Sequence, residues 1–332
     1  MKLATFRSAA NGPRVGVVSS DLYSIADAAG LARAHGASAE PYHSMLALIE
    51  AGPKALNQLK DWVNSPSLGK ETWLPIGEVV LDAPIPRPPR LRCFSVYEKH
   101  LVQAFQQVLR HKLGRVAYAL VNGLGLIKAP KRFFKVPAYY KGNHLAVTGP
   151  GQVITWPSYS RMLDYELELG LIIGKSGKDI KVGDASAHIF GYTIFNDFSA
   201  RDALMEEMGI GPSAGPAKGK DFDTSNAMGP WIVTADELDN PEALAMTVSV
   251  NGVERGRARV GEMAHSIPAL VAFASRGETL QPGEVFSCGA VGGGTGIENW
   301  TFLKPGDRVD LSIEGIGTLT NTVGVPDHVV AL

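Results

Sequence analysis

The stretch that decides the fold is Leu163-Asp164-Tyr165-Glu166-Leu167-Glu168-Leu169-Gly170-Leu171-Ile172-Ile173. Its residues alternate with a period of two, which is typical of a β-strand and places Glu166 and Glu168 on the same face. Apolar residues continue on both faces, so the strand should be buried. A buried pair of carboxylates needs arginines or a divalent cation to offset its charge. A solvent-exposed strand face is the alternative interpretation.

The segment Gly191–Asp202 predicts a second buried strand that runs directly into a helix. Asp197 or Ser199 could act only as the N-cap of that helix. An aspartate at the end of a strand is also a common metal ligand. Together with the two glutamates, Asp197 would offer hard oxygen donors, which suit Mg²⁺, Mn²⁺ or Ca²⁺ better than Zn²⁺.

Three further segments carry candidate chemistry. Lys220 lies in a glycine-rich loop, where a lysine is either surface charge or, beside a metal, a group that holds an oxyanion. His100 lies with Glu98 at the start of a predicted helix. A lone histidine is usually structural, and it becomes a candidate base only if it meets the metal site. The run Gly292–Gly296 matches neither a Walker loop nor a dinucleotide fingerprint, and we interpret it as a loop whose backbone approaches a ligand closely.

Composition narrows the class of protein. The chain has 332 residues, with 32 Lys and Arg against 33 Asp and Glu and a formal net charge of -1, which argues against a nucleic-acid partner. It contains no apolar run of about 18 residues, so no membrane partner is expected. Cys93 and Cys288 are too few for a disulfide framework, and the first residues lack the apolar core of a signal peptide. A cytoplasmic location fits both observations.

The 37 glycines and 21 prolines predict many turns and a strand-rich protein, mainly β with some α, of the α+β class. The stiff proline cluster Pro84–Arg90 predicts a boundary between a small N-terminal β-rich domain, residues 1–85, and a larger domain, residues 86–332. The predicted helices are Pro41–Ala51, Pro53–Val63, Lys99–Leu113, Ser199–Glu207 and Ser266–Arg276.

Taken together, these segments resemble the fumarylacetoacetate hydrolase family over nearly the whole chain. The specific part is the ordered set Asp164–Glu168, Phe195–Asp202 and Gly219–Thr224. The openings Lys2–Arg7 and Arg14–Val18 look like the N-terminal domain of the larger bacterial members. The resemblance implies a small N-terminal β domain and a C-terminal β-roll of the family's type, paired into a homodimer.

The resemblance also implies roles for single residues. Glu166, Glu168 and Asp197 would bind the divalent cation, which is Mg²⁺, Mn²⁺ or Ca²⁺. The other implied site residues are the active-site lysine Lys220, the oxyanion arginine Arg201, the water-activating histidine His100, Thr224 near the cation and Tyr140 near the substrate.

The chain departs from the family's pattern at several positions. Cys93 stands where the eponymous hydrolases have a further cation-binding aspartate, and Leu204 stands where they have a glutamine. The usual Gly-Thr after a late strand becomes Gly289-Ala290, which we keep as candidate substrate-binding residues. Gln103 replaces the glutamate that accompanies the histidine in smaller members. These changes leave the three predicted cation ligands intact.

The preferred hypothesis is a hydrolase that cleaves a C–C bond of a 1,3-dicarbonyl or acylpyruvate-like substrate. His100, oriented by Glu98 or by Glu298 from the glycine-rich loop, would deprotonate water. The cation would act as a Lewis acid and hold the leaving group as an enolate. Lys220 and Arg201 would stabilise the developing oxyanion.

Two alternatives stay open. One is an isomerase, hydratase or decarboxylase of a 2-oxo acid, which uses the same enolate stabilisation without attack by water. The other is a non-catalytic binding protein that retains a structural cation. A paired-carboxylate glycosidase is disfavoured, because Glu166 and Glu168 share one strand face and cannot flank a scissile bond. Product masses distinguish hydrolysis from the first alternative, since hydrolysis yields two fragments with one added water.

Overall fold

The computed structural model of the chain describes residues 1–8, 11–65, 72–211 and 215–326. The described strands are β1 (Lys2–Ser8), β2 (Asn11–Val18), β3 (Ser24–Asp27), β4 (Trp73–Pro75), β5 (Val80–Asp82), β6 (Leu91–Phe94), β7 (Tyr139–Lys141), β8 (Val147–Thr148), β9 (Val153–Ile154), β10 (Leu163–Asp164), β11 (Leu167–Ile173), β12 (Ile189–Asp197), β13 (Ser199–Ala200), β14 (Asn226–Thr234), β15 (Ala245–Val250), β16 (Val253–Arg259), β17 (Val285–Ser287), β18 (Arg308–Ile313) and β19 (Gly317–Val323). The described helices are α1 (Ala28–Ala34), α2 (Met45–Val63), α3 (Glu98–Gly123), α4 (Arg201–Gly209) and α5 (Ile267–Ala274). This mixture confirms the predicted α+β class.

The strands of the described residues form two main sheets. The larger one has 12 strands and follows the path β4-β3-β2-β1-β14-β12-β11-β17-β6-β7, with β5 added at β1 and β8 added at β14. A second sheet of five strands has the order β16-β15-β18-β19-β9, and β10 pairs with β13. Because β11 lies well inside the larger sheet, residues from β6, β7, β12 and β17 surround its start.

Strand β11 is buried along its whole length, which confirms the burial predicted for it. It pairs antiparallel with β12 on one side and with β17 on the other. A central strand covered on both faces is expected to be apolar nearly throughout. Glu168, opposite Phe195 of β12, is its single charged residue.

The predicted strand Leu163–Ile173 is interrupted after Asp164. Strand β10 pairs with β13, whereas β11 pairs with β12, so the chain leaves one ladder and enters another. The Asp164 carboxylate accepts hydrogen bonds from the backbone N–H groups of Tyr165, Gly296 and Ile297. These bonds hold the chain where the ladder breaks. Side-chain hydrogen bonds of this kind are invisible to an argument from periodicity.

The N-terminal strands continue the larger sheet. Strand β1 pairs with β2 and β5 within the first 85 residues and also with β14 from the rest of the chain. The proposed domain boundary between residues 85 and 86 stays a prediction.

Helix α3 extends beyond its predicted end at Leu113 and contains a kink. Gly114 adopts φ 77° and ψ 167°, a conformation that favours glycine, and a second helical half follows it to Gly123. The outer half therefore changes direction and lies largely exposed. In the described part of the chain, no helix has the length and apolar content that crossing a membrane requires.

Candidate metal centre and active site

Three buried carboxylates, those of Glu166, Glu168 and Asp197, lie close together where β11 begins and β12 ends. One oxygen from each lies within 4.8 Å of the other two. The antiparallel register explains this arrangement, because Leu167 is opposite Asn196 and the next residue of β12 is Asp197. The structure thus brings together all three ligands predicted from the sequence.

Two buried cations face two of these acids. Nζ of Lys220 lies 2.7 Å from Oε2 of Glu166 and 3.0 Å from Oδ2 of Asp197, and the Arg201 guanidinium lies 2.7 Å from Oε1 of Glu166. Burial alone would raise the pKa of Glu166, but Lys220 and Arg201 outweigh it and hold that pKa well below its usual range. Burial opposes the charge of Lys220, and Asp197 and Glu166 outweigh it and raise its pKa. Glu166 and Lys220 therefore remain charged at neutral pH.

Glu168 lacks such a partner. Its Oε2 accepts a hydrogen bond of 3.1 Å from the backbone N–H of Gly289, and no ion pair to it is found among the described residues. Burial, followed by the nearby Glu166 and Asp197, raises the pKa of Glu168 well above its usual range. Oδ1 of Asp197 is buried and has no hydrogen-bond partner in the described part of the chain.

These observations test whether the residues suit a metal. The site contains one uncompensated carboxylate, one unpartnered buried oxygen and three hard oxygen donors within reach of one another. That donor set fits a divalent cation such as Mg²⁺, Mn²⁺ or Ca²⁺, whose charge would offset the excess of acid.

Strands β6 and β7 supply an uncharged wall. The Tyr140 hydroxyl donates a hydrogen bond to Oδ2 of Asp197, and Cys93 lies opposite Tyr140 in the β6–β7 pairing. Burial and then the charge of Asp197 raise the pKa of both the Cys93 thiol and the Tyr140 phenol well above their usual values. Both groups therefore stay protonated at neutral pH, and Cys93 lines the acid cluster without adding charge to it.

A histidine–glutamate pair lies beside the acid cluster. Nδ1 of His100 lies 2.7 Å from Oε1 of Glu298, and the Glu298 side chain is buried. Its other carboxylate oxygen accepts a hydrogen bond from the Gly293 N–H of the glycine-rich loop. His100 is close enough to Glu166 to contribute to lowering its pKa, after the larger effects of burial, Lys220 and Arg201. Because Nδ1 is engaged, Nε2 is the nitrogen left for a reactant.

Of the two carboxylates proposed to orient His100, only Glu298 contacts it. Glu98 lies exposed in the first turn of α3. The Thr224 hydroxyl accepts a hydrogen bond from the Thr155 N–H and donates one to the Asp223 carbonyl, so neither of its described bonds reaches the three carboxylates. Ala290 is buried and follows the Gly289 N–H that contacts Glu168.

Asp164 connects the acid cluster to the base. One of its oxygens lies 2.8 Å from Nε of Arg201, which in turn holds Glu166. The same carboxylate accepts hydrogen bonds from the Gly296 and Ile297 N–H groups, directly before Glu298. A single fully buried side chain thus fixes both the arginine that contacts the metal ligand and the turn that carries the histidine's partner.

Comparison with known proteins agrees with this geometry. The family model for the fumarylacetoacetate (FAA) hydrolase C-terminal domain matches residues 113–324, which is more than half of the chain. The chain belongs to the fumarylacetoacetate hydrolase family. The resemblance inferred from the ordered motifs is thereby confirmed.

Relatives within the fumarylacetoacetate hydrolase family carry several activities. Oxaloacetate tautomerase YisK of Bacillus subtilis (strain 168) is 33% identical over 290 residues, covering 85% of this chain and 86% of that protein. The structure of maleylpyruvate hydrolase from Sphingobium sp. SYK-6 in complex with manganese(II) and pyruvate is 26% identical, with a TM-score of 0.71 and coverage of 98% and 99%. The 5-carboxymethyl-2-hydroxymuconate delta-isomerase of Mycobacterium smegmatis is 27% identical, with a TM-score of 0.67 and coverage of 98% of both chains.

The site also contains residues whose role the sequence did not suggest. Asp164 is part of the first motif, and alternation places it on the same side as Glu166, so its position was a usable signal. Asn196, whose side-chain oxygen accepts the Glu166 N–H at 2.9 Å, had no such signal. Thr295 forms an isolated bridge with Glu166 across the glycine-rich loop and could be found only in three dimensions.

Proposed function

We propose that this protein is a divalent-cation-dependent enzyme that interconverts the keto and enol forms of a small 2-oxo acid of the oxaloacetate type. The observation that carries the proposal is the His100–Glu298 pair beside the three carboxylates, because it sets a base next to a site suited to an enolate-stabilising cation. The similarity to an oxaloacetate tautomerase over 85% of the chain supports the substrate class.

Glu166, Glu168 and Asp197 would hold the cation, which when bound supplies Lewis acidity that favours the enolate of a 2-oxo acid. In the direction from keto to enol, Nε2 of His100 takes a proton from the carbon next to the keto group, and the resulting enolate oxygen gains a proton from solvent. Glu298 holds Nδ1 and stabilises the imidazolium that results. In the opposite direction His100 returns the proton to that carbon, and the enol hydroxyl loses its proton to solvent.

Lys220 and Arg201 set the charge of the site. Both are buried and paired with Glu166, so they limit the negative charge that a dianionic substrate would otherwise meet. Tyr140 keeps its proton and holds Asp197 in place. None of these roles requires an attacking water, which separates tautomerisation from hydrolysis.

A second candidate function is hydrolysis of a C–C bond in an acylpyruvate-like substrate. It rests on the same His100–Glu298 pair, which could deprotonate water instead of carbon, and on the similarity to a maleylpyruvate hydrolase. Isomerisation, hydration or decarboxylation of a 2-oxo acid would use the same site.

The test follows the decay of the oxaloacetate enol by ultraviolet absorbance with Mn²⁺- or Mg²⁺-loaded protein. We expect acceleration that His100→Asn and Glu298→Gln each reduce by about 10²-fold or more. His188→Asn, which changes a half-buried histidine elsewhere, should leave the rate unchanged. No acceleration with either metal, or full activity in His100→Asn, would contradict the proposal.

A parallel panel of acylpyruvates analysed by product mass decides between the two candidates. Two fragments that together contain one added water would establish hydrolysis, and unchanged substrate mass with enol decay would establish tautomerisation. The homodimer implied by the family resemblance stays a prediction that sedimentation velocity tests, and the cytoplasmic location stays one for cell fractionation.

A further inference from the structure

Charge is distributed very unevenly along this nearly neutral chain. Between Glu98 and Asp164 there is no Asp or Glu at all, whereas the same stretch carries ten Lys or Arg. The rest of the chain holds 22 Lys or Arg against all 33 Asp and Glu. The net charge of -1 therefore conceals a strongly cationic segment joined to an anionic body.

Within this segment, large apolar side chains face solvent. In the outer half of α3 and the loop after it, the exposed fraction is 79% for Val116, 66% for Leu120, 72% for Leu124 and 67% for Leu126. Scattered exposed apolar residues are ordinary, but a contiguous run of them marks a surface that contacts something else.

Four exposed cations follow these apolar residues directly in the chain. Lys128, Lys131, Arg132 and Lys135 are all exposed, and the last three surround the half-exposed Phe134 within one turn. Backbone hydrogen bonds from Lys135 and Val136 to the Arg132 carbonyl close that turn. The ion pairs found among the described residues involve other side chains, so these four cations are uncompensated there.

We propose that this basic apolar surface docks the protein on an anionic lipid bilayer. The surface is formed by Val116, Leu120, Leu124, Leu126 and Phe134 together with Lys128, Lys131, Arg132 and Lys135. The apolar side chains would enter the boundary between headgroups and acyl chains, and the cations would contact anionic headgroups. Docking at a membrane surface requires no spanning segment, so it revises the expectation of no membrane partner drawn from the lack of a long apolar run.

Charge and chemistry favour a bilayer over other partners. A second copy that paired through the same surface would bring like charges together, because a two-fold interface sets a patch against itself. Nucleic-acid interfaces are polar, and they use aromatic stacking and hydrogen bonds to bases, whereas Val116, Leu120, Leu124 and Leu126 offer neither. Aliphatic side chains beside lysines and arginines are the combination that an anionic lipid surface accepts.

The experiment measures sedimentation of the full chain with vesicles of phosphatidylcholine that contain phosphatidylglycerol, and with vesicles of phosphatidylcholine alone. We expect binding to the anionic vesicles, weakened by raised salt. The quadruple variant K128S/K131S/R132S/K135S should bind at least about a hundredfold more weakly, since each cation near the surface contributes separately. The variant L120S/L124S should also lose binding, at least about tenfold, even though its charge is unchanged.

A matched control replaces four exposed lysines elsewhere with K175S/K178S/K181S/K304S. It removes the same net charge and should keep most of the binding. Equal losses in this control and in the quadruple variant would mean that overall charge alone acts, and would overturn the proposal. So would the absence of binding to anionic vesicles, or a wild-type dimer that L120S/L124S dissociates. Circular dichroism of each variant checks that the fold is retained.

Discussion

Two consecutive stretches of this chain differ in their charge and in the burial of their charged side chains. Residues 99–163 contain no acid, and the outer half of α3 and the loop after it expose both cations and apolar side chains. The next forty or so residues contain the buried acids Asp164, Glu166, Glu168 and Asp197, and all of these except Glu168 form ion pairs with Arg201 or Lys220. The ion-pair partners of the second stretch lie inside the chain, whereas Lys128, Lys131, Arg132 and Lys135 of the first form no ion pair among the described residues.

The largest effect we predict is on the buried stretch, from Glu168→Gln. The substitution keeps the shape of the side chain but removes a ligand charge, so affinity for Mn²⁺ should fall at least about a hundredfold. Isothermal titration with Mn²⁺ measures this directly. Glu206→Gln, in the exposed part of α4, is the matched control and should change nothing. Unaltered Mn²⁺ affinity in Glu168→Gln would show that the acid cluster does not hold the cation.

Asp164→Asn should give the next largest effect, because one carboxylate holds both Arg201 and the turn before Glu298. The amide cannot accept from Arg201 and from the turn equally well, and the free energy of unfolding should fall by about 3 kcal/mol. Misplacement of the base should lower kcat about 10²-fold. Urea unfolding and steady-state kinetics measure the two effects.

Asp202→Asn is the control for that prediction. Asp202 accepts hydrogen bonds from Ser160 and from the Arg161 N–H, near the same strands but away from Arg201 and the glycine-rich loop. It should lose stability with little loss of kcat. If the two variants behave alike, Asp164 acts only in the fold and does not position the site.

The uncompensated acids also predict how stability depends on pH. The pKa of Glu168 is raised by burial and then by Glu166 and Asp197, and that of Asp197 is raised chiefly by burial. A group with a raised folded-state pKa contributes stability at low pH that is lost as pH rises through that pKa. Glu166, with its lowered pKa, has the opposite sign and loses its contribution only in strong acid.

The protein in EDTA should therefore lose thermal stability as pH rises above the ordinary carboxyl range, from about 5 to about 8. Mn²⁺ should remove most of this decline, because a cation stabilises the ionised carboxylates. Tm measured across this range with and without Mn²⁺ tests the prediction. Glu168→Gln should flatten the curve in EDTA, and a decline that persists in that variant would assign it to other groups.

The contrast between the two stretches also explains what the sequence could predict. Strands β11 and β12 and the three candidate cation ligands followed from alternation and burial, because their neighbours within the fold dictate those residue types. Arg201 came only from the family resemblance, whereas Lys220 was also a candidate from its glycine-rich loop, and the structure places both against Glu166. The choice between Glu98 and Glu298 could not be made from the sequence, since Glu298 reaches His100 through a loop that Asp164 holds from 132 residues away.

The break in the strand after Asp164 and the extension of α3 beyond Leu113 were both missed for a similar reason. The strand breaks where the Asp164 side chain accepts a hydrogen bond from a distant backbone group. Helix α3 changes direction at Gly114, which has a positive φ, and then continues. Periodicity reports which faces are buried, but it does not report where a distant group replaces a ladder bond. The outer half of α3 buries few side chains, so its sequence lacks the apolar periodicity from which a helix is predicted.

The smallest effect we predict is on the local stability of α3, where replacing two glycines with alanine should have opposite effects. Gly114 has φ 77° and ψ 167°, and a Cβ there would meet no atom within 4 Å, so Gly114→Ala acts through backbone strain alone and should cost about 1–3 kcal/mol locally. Gly123 has no positive φ and equal space, so Gly123→Ala should stabilise the helix by up to about 1 kcal/mol. Because the outer half of α3 is exposed, both changes should alter hydrogen exchange of residues 114–123 far more than the global Tm. If the change in free energy derived from Tm equals the change derived from local hydrogen exchange, this half of the helix unfolds together with the body of the protein.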